Sequence, residues 1–389
     1  MMLKIELMGK SVCPKFLRTS QNWLMQRSQI RCFKISLMFR TFFIILIFVC
    51  LSTTTSADRI ENPKPIRFLA VGDMMLGRNI AKNIRQNGPE WLLGDVKSTL
   101  SGSDILFGNL ESPLTSDKSL PRRGFGFTGD PEMARWLKDY GFTVLSVSNN
   151  HAFDRGAGGI TDTLKYLSKF GIVACGGGTE PSEPYQPQIV DVKGTKFAFF
   201  AAESIVNFDS TSGKSGVAFL DSKKIISEIK KIRNDVDFVI VSLHWGNEYK
   251  KHPNTNQIRI AHDFIDNGAD VIIGHHPHVL QGIERYKDGL IFYSLGNFIF
   301  DQRDEPTKRS VIAAIDFYPM NRWLTNPMVT PIAIKNYHPV LDSGNTREKT
   351  IGELIEYGKA LGKDGVSEFS DIAPAGLEVP PPLPTDILK

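Results

Sequence analysis

The sequence predicts a layered α/β protein in which β-sheets are flanked by helices and a ligand site lies along the C-terminal ends of the strands. Three observations predict it. One grammar (helix, glycine stop, apolar strand, polar loop) occurs at 136–150, 166–178 and 264–278, which is the rhythm of helices packed on a sheet. The residue types that carry chemistry gather where the strands end, the edge at which open α/β sheets bind ligands. Finally, Val271, Ile272 and Ile273 run into Gly274, and three of the chain's eight histidines, His275, His276 and His278, follow within four positions. Imidazoles clustered at a strand end can point their nitrogens into one small volume, as a metal ion requires.

The elements follow in order. Residues 66–71 form a strand ending at Gly72-Asp73, and 105–107 a short one ending at Gly108-Asn109. Asp130-Pro131 opens a helix, with Asp as N-cap and Pro in the first turn, that stops at Gly141. A strand over 143–147 ends in Ser148-Asn149-Asn150-His151. Ile160, Leu164 and Leu167 mark a helix stopped by Gly171, and a strand over 172–175 ends in three glycines. Residues 188–192 and 196–202 read as a hairpin about a Lys193-Gly194 turn. A helix over 222–234 precedes a strand over 238–243 that ends at His244, and a helix over 257–267 leads into the triple-histidine strand. Late strands are expected at 290–295, 311–317 and 329–335, and a helix at 351–361. From Pro374 the Pro-rich tail reads as extended.

Charge and cysteine usage divide the chain. Of 46 basic and 42 acidic residues, eight and one respectively fall in 1–57, leaving 38 and 41 beyond, a net of −3. An acidic body with no long Lys/Arg run argues against a nucleic-acid role. Cys13, Cys32 and Cys50 lie in the leader and Cys175 alone in the body, so no internal disulfide framework is expected. Residues 42–51 are ten apolar residues after Arg40 and before a small-residue exit at Ala57. This is a secretory-signal pattern, too short for a span of about 20 residues; an uncleaved signal-anchor is the alternative, and Met38 would give a more compact start. The expected organisation is a leader over 1–57, a globular body over 58–340, and a C-terminal helix and tail over 341–389. An exported protein follows, periplasmic, extracellular or membrane-anchored at the cell envelope.

The strand-end set is Asp73; Asn109 with Glu111; Asn150 with His151 and Asp154; His244; His275, His276 and His278; Asn297 with Asp301. Carboxylates, an amide oxygen and imidazoles together suit Mn²⁺, Zn²⁺ or Fe better than Ca²⁺. Two adjacent ions would need roughly seven ligands and a bridging carboxylate; one ion could polarise a carbonyl. Structural roles stand beside these. Asn109 and Asn150 suit turns, Asp73 suits a helix N-cap, and Asn297 and Asp301 suit turns. Trp245 suits packing, with Glu248 and Tyr249 as pocket walls. The glycines at 156, 158 and 159 could offer N–H groups to an anion or serve a turn. Arg122-Arg123 could face an anionic substrate or simply be solvated.

In this order, Gly72-Asp73, Gly108-Asn-Leu-Glu111, Asn149-Asn-His151, Ser242-Leu-His-Trp-Gly-Asn-Glu-Tyr249, Gly274-His-His-Pro-His278 and Ser294-Leu-Gly-Asn-Phe298 resemble the calcineurin-like metallophosphoesterases, and within them the bacterial CapA family of poly-γ-glutamate capsule synthesis. The resemblance covers roughly 66–301. It implies that Asp73, Glu111, Asn150, His244, His276 and His278 bind one or two divalent ions, with Asn109 and His275 supporting them. It implies His151 as general acid, oriented by Asp154. It further implies an anionic poly-γ-glutamate-like polymer or a phosphoester as substrate and membrane synthase subunits as partners, for either a metal-dependent hydrolase or a non-catalytic scaffold. The sequence departs from the wider phosphoesterase pattern at Met75, where a histidine is expected, and at Asn109, where an aspartate is expected.

Overall fold

A computed structural model describes residues 64–206 and 216–372. The leader with its signal pattern and the Pro-rich tail lie outside the described residues. Two sheets pack face to face. In the first, His338–Leu341, Met328–Lys335, Arg309–Tyr318, Ile66–Met74, Ile105–Leu110, Phe142–Ser146 and Val173–Cys175 follow one another, with Asn297–Ile299 added to Ile66–Met74 and Trp323–Leu324 to Arg309–Tyr318. In the second the order is Ile283–Tyr286, Gly289–Phe292, Val271–His275, Phe238–His244, Thr195–Glu203 and Gln188–Val192.

Alternation along each strand builds the layers. From the strand Ile66–Met74, Phe68 and Ala70 enter the core between the sheets, while Leu69 and Val71 face the helices outside. The inner core is aromatic. Phe107 and Phe199 stack at 6.1 Å, and Phe317 meets Phe197 edge-on at 5.2 Å and Phe238 at 4.6 Å. The second sheet's outer face is covered by the helices Ser222–Ile232 and Thr255–Asp266, through Ile225, Ile229, Ile260 and Phe264.

Four strands of the first sheet run parallel, Ile66–Met74 through Val173–Cys175. So do Thr195–Glu203, Phe238–His244, Val271–His275 and Gly289–Phe292 in the second. Their C-terminal ends therefore carry the polar residues predicted above. Two devices set the detail. The pairing of Ile66–Met74 with Ile105–Leu110 shifts by one residue between Ala70 and Asp73, which sets Asp73 level with Asn109; such a bulge re-aims a side chain. At Gly72 a Cβ would stand 2.0 Å from the Gly296 carbonyl oxygen, and at Gly274 2.0 Å from that of Tyr293. The glycines that precede Asp73 and His275 thus admit the 293–297 segment against both strand ends.

The observed elements match the expected ones closely, including the hairpin, whose turn residues Lys193 and Gly194 sit at φ 54° and 83° as a two-residue primed turn demands. Three differences have physical reasons. The strand expected over 290–295 stops at Phe292 because Ser294 turns to donate to the Val279 carbonyl. The C-terminal helix starts earlier, at Gly344, through polar residues that show no apolar period. The helix after Asp73, to which the sequence gives no bounds, spans Arg78–Asn87 and buries only Ile80, Ala81 and Ile84. Cys175 is a buried free thiol. Among the described residues no helix is long and apolar enough to cross a membrane.

Candidate metal centre

Asp73 lies at the end of the first strand, wholly buried; it is not a helix N-cap, because the next helix begins at Arg78 with Gly77 as its cap. Its Oδ1 accepts from Asn109 Nδ2 at 2.9 Å and its Oδ2 from the His276 backbone N–H at 3.2 Å. His275 Nδ1 lies 3.0 Å from Oδ1 and His278 Nδ1 3.4 Å from Oδ2. One carboxylate thus gathers the second strand and the triple-histidine loop. Burial alone would raise its pKa, but contacts with His275 and His278 hold it well below the usual carboxylate range.

Glu111, just past the second strand, is as deeply buried. Its Oε1 has no hydrogen-bond partner and lies 3.8 Å from His278 Nε2 and 4.0 Å from His151 Nε2. Burial, and then the charge of Asp73, pushes it well above the usual range. Asn109 is a strand residue, not a turn: its amide nitrogen also stands 3.3 Å from His244 Nδ1 and 3.5 Å from Glu111 Oε2, and its oxygen accepts from Asn149. Asn150 is half-buried and hydrogen-bonds His244 Nε2 through its side-chain oxygen at 2.8 Å. A cation on either His244 nitrogen would displace one of these amides.

His244 and His276 supply neutral lone pairs. Burial, and then the neighbouring His276, drives His244 well below the ordinary imidazole range, and burial with His278 takes His276 down to about 4. His276 and His278 sit at φ 94° and 59°, left-handed conformations that cost roughly 1–3 kcal/mol each and collect at functional sites. His278 Nδ1 bonds Asn297 Oδ1 at 2.9 Å, leaving Nε2 for a ligand, the usual way an outer partner fixes a metal-binding imidazole. Asn297 is therefore not a turn residue; it pairs in register with Asp73 from its own strand. Asp301 instead pairs with Arg78 and accepts from Asn79.

Buried polar atoms normally have partners. Glu111 Oε1, His276 Nδ1 and His275 Nε2 lack hydrogen bonds, and they surround a wholly buried carboxylate. This donor set fits a divalent cation. Two groups of three bring one ligand atom each within 4.8 Å of the others: Asp73, Glu111 and His244; and Glu248, His276 and His278. Glu248 is exposed and was read from sequence only as a wall. The signal that could have found it is its place four residues after His244 on the same strand-end loop. Trp245 is core, its indole N–H donating to the Tyr293 carbonyl.

His151 stands beside these groups. Its Nδ1 lies 3.0 Å from Asp154 Oδ2, which also accepts the Phe127 N–H at 2.7 Å, and its ring stacks on Phe127 at 4.1 Å. That leaves Nε2 directed toward Glu111. Asn149, to which the sequence assigns no role of its own, accepts the His151 N–H and donates to Asn109 and the Leu110 carbonyl, tying the third strand end to the second. The glycines at 156–159 serve packing: a Cβ at Gly158 would stand 2.5 Å from Leu120, and at Gly159 3.3 Å from Pro113. His252, His262 and His338 lie elsewhere, against Tyr357, Glu284 and Asp95.

Glu203 is a second residue missed from sequence. It ends its strand level with His244, buried, with Oε1 unpartnered and Oε2 accepting from the Ile205 and Val206 N–H groups. Burial pushes its pKa up to about 7. The folded chain then holds a proton that the unfolded chain has lost, so this group makes stability fall as pH rises from about 4.5 to 7. Glu203→Gln, which keeps an acceptor oxygen, is expected to flatten that fall, roughly 1–3 kcal/mol across the window. Thermal melts at pH 5, 6 and 7 check it; parallel pH curves for the two proteins would count against it.

Residues 67–302 match the family described as bacterial capsule synthesis protein PGA_cap. The chain is 34% identical over 319 residues to the PGA biosynthesis protein CapA of Bacillus subtilis strain 168, covering 79% of this chain and 83% of the relative. It is 32% identical to the capsule biosynthesis protein CapA of Bacillus anthracis, covering 71% and 74%. Among solved structures, one described as a novel phosphatase from Mycoplasma pneumoniae superposes with TM-score 0.45 at 14% identity, over 69% of this chain and 94% of that one.

Proposed function

The chain belongs to the bacterial capsule synthesis protein family PGA_cap, and we propose that it acts at the cell envelope in making or anchoring a poly-γ-glutamate-type capsule, as a metal-dependent hydrolase or transferase. The observation that carries the enzyme reading is the pair of three-residue donor groups beside a histidine–carboxylate pair. Its ligands are Asp73, Glu111, Asn150, His244, His276 and His278, with Glu248 added. Asn109 and His275 hold Asp73 and its neighbours in place. The target is a phosphoester or a γ-glutamyl amide of an anionic polymer, the protein is exported, and its partners are membrane synthase subunits.

A divalent ion there supplies Lewis acidity toward a phosphoryl or acyl oxygen and a lowered pKa for water. The chain does the rest. His244 and His276 stay neutral at physiological pH, so they offer lone pairs without a proton to lose. Asp73 stays ionised. His151 delivers a proton from Nε2 to the leaving oxygen or nitrogen, while Asp154 fixes the ring through Nδ1 and steadies the imidazolium that precedes transfer.

A second reading, a non-catalytic scaffold that retains the donor shell, is favoured by Asn109. Its amide nitrogen stands among Asp73, Glu111 and His244, where a carboxylate would bind a cation more tightly. Asn109→Asp is expected to tighten divalent binding at that group by about 10- to 100-fold. It should also lower the melting temperature of the metal-free protein, by adding a third buried carboxylate. Melts with and without Mn²⁺ or Zn²⁺ read both effects; a variant unresponsive to metal would argue against the first group as a site.

The two readings separate on turnover. Protein loaded with Mn²⁺ or Zn²⁺ is incubated with poly-γ-glutamate and with bis-p-nitrophenyl phosphate. Chain shortening or nitrophenolate release, stopped by chelation, is the outcome expected for the enzyme. A metal-loaded protein that turns over neither substrate contradicts the enzyme reading and leaves the scaffold.

A further inference from the structure

The loop over 117–128 is locked onto the candidate acid. The Arg123 N–H donates to the Asp154 carbonyl at 2.9 Å, the Phe127 N–H to the Asp154 carboxylate at 2.7 Å, and Arg155 Nη2 to the Asp117 carbonyl at 2.8 Å. Between these ties the chain turns through Gly124 and Gly126, at φ 53° and 65°, closed by the Gly126 N–H on the Arg123 carbonyl. The position of the turn relative to His151 is thereby fixed.

What the loop displays differs from what surrounds it. Residues 121–125 are exposed. Phe125 is 70% exposed, although its ring lies 5.8 Å from both Phe127 and His151. Phe125 thus offers an apolar face to solvent beside the polar site. Arg122 and Arg123 have no side-chain hydrogen bond or ion pair among the described residues. Arg78, by contrast, lies over the Phe127 ring at 4.8 Å but is occupied by Asp301. The adjoining centre is acidic, with Asp73, Glu111, Asp154 and Glu248. A polyanion approaching these carboxylates meets repulsion, which the two arginines beside them offset.

We propose that the 120–127 loop reads the polymer. Arg122 and Arg123 bind carboxylates of a poly-γ-glutamate-type chain, and Phe125 covers its methylene stem, so that the scissile bond lies under His151. Guanidinium forks match carboxylates in geometry, and the spacing of free carboxylates along such a polymer lets two neighbouring arginines act together. This rests on the capsule-polymer reading above.

The test is fluorescence anisotropy of labelled poly-γ-glutamate with the metal-loaded full chain, as a function of salt. The charge reversal R122E/R123E is expected to weaken binding at low salt by at least about tenfold and to flatten its salt dependence. R122K/R123K should stay much closer to wild type, and Phe125→Ala should weaken binding without changing the salt slope. Metal content and melting temperature should not move in any of them. Wild-type binding that survives charge reversal overturns the assignment of the loop and leaves the polymer reading standing. A metal-loaded wild type that binds no poly-γ-glutamate at any salt overturns both.

Discussion

Asp73→Asn is expected to remove the divalent ion and with it all turnover, with metal affinity falling by at least about 100-fold, beyond the roughly 10- to 100-fold typical when a partner that only orients a ligand is lost. Asp73 holds four groups at once. Its oxygens meet the Asn109 amide, the His276 N–H and the rings of His275 and His278. An asparagine keeps the volume and one acceptor but loses the charge, and its amide nitrogen would face donors. The left-handed backbone at His276 loses part of what holds it. Metal analysis after dialysis, with circular dichroism to show that the fold persists, checks the prediction. A variant that retains metal at wild-type stoichiometry would remove Asp73 from the ligand set.

His151→Ala separates proton delivery from metal binding. His151 belongs to neither donor group, its Nε2 standing 4.0 Å from Glu111 Oε1, so metal content should remain at the wild-type level. The catalysed rate should fall by about 10²–10⁴, the range for losing a positioned acid. Asp154→Asn should have a smaller effect on rate. It should also loosen the 123–127 turn, because the same carboxylate accepts the Phe127 N–H. With His151 as the proposed acid, substrates with good leaving groups should be affected least. A uniform loss across leaving groups would assign His151 a structural role.

Much of this was legible in the sequence, for identifiable reasons. Strands buried on both faces read as apolar runs, and the residues just past each run sit at the sheet edge by geometry alone. That is how Asp73, His244 and His275 could be located. The glycines before Asp73 and His275 were visible, although their purpose, the approach of the 293–297 segment, was not. Residues whose roles depend on a distant partner were obscure. Asn297 reads as a turn residue until His278 is placed beside it, 19 positions away. Glu203 is an ordinary strand-end acid until burial raises its pKa. Glu248 requires the loop after His244 to fold back toward His276 and His278, which no local period encodes. Asn149 is masked by its neighbours Asn150 and His151, which carry the more obvious chemistry.

The central claim is that the strand-end groups bind divalent metal. The most direct measurement is anomalous scattering from crystals of the full chain grown with Mn²⁺ and, separately, Zn²⁺. The account predicts one or two ions about 2.0–2.3 Å from donor atoms of Asp73, Glu111 and His244 or of Glu248, His276 and His278. A folded protein with these side chains in the positions described and no anomalous peak among them, under either metal, would contradict it.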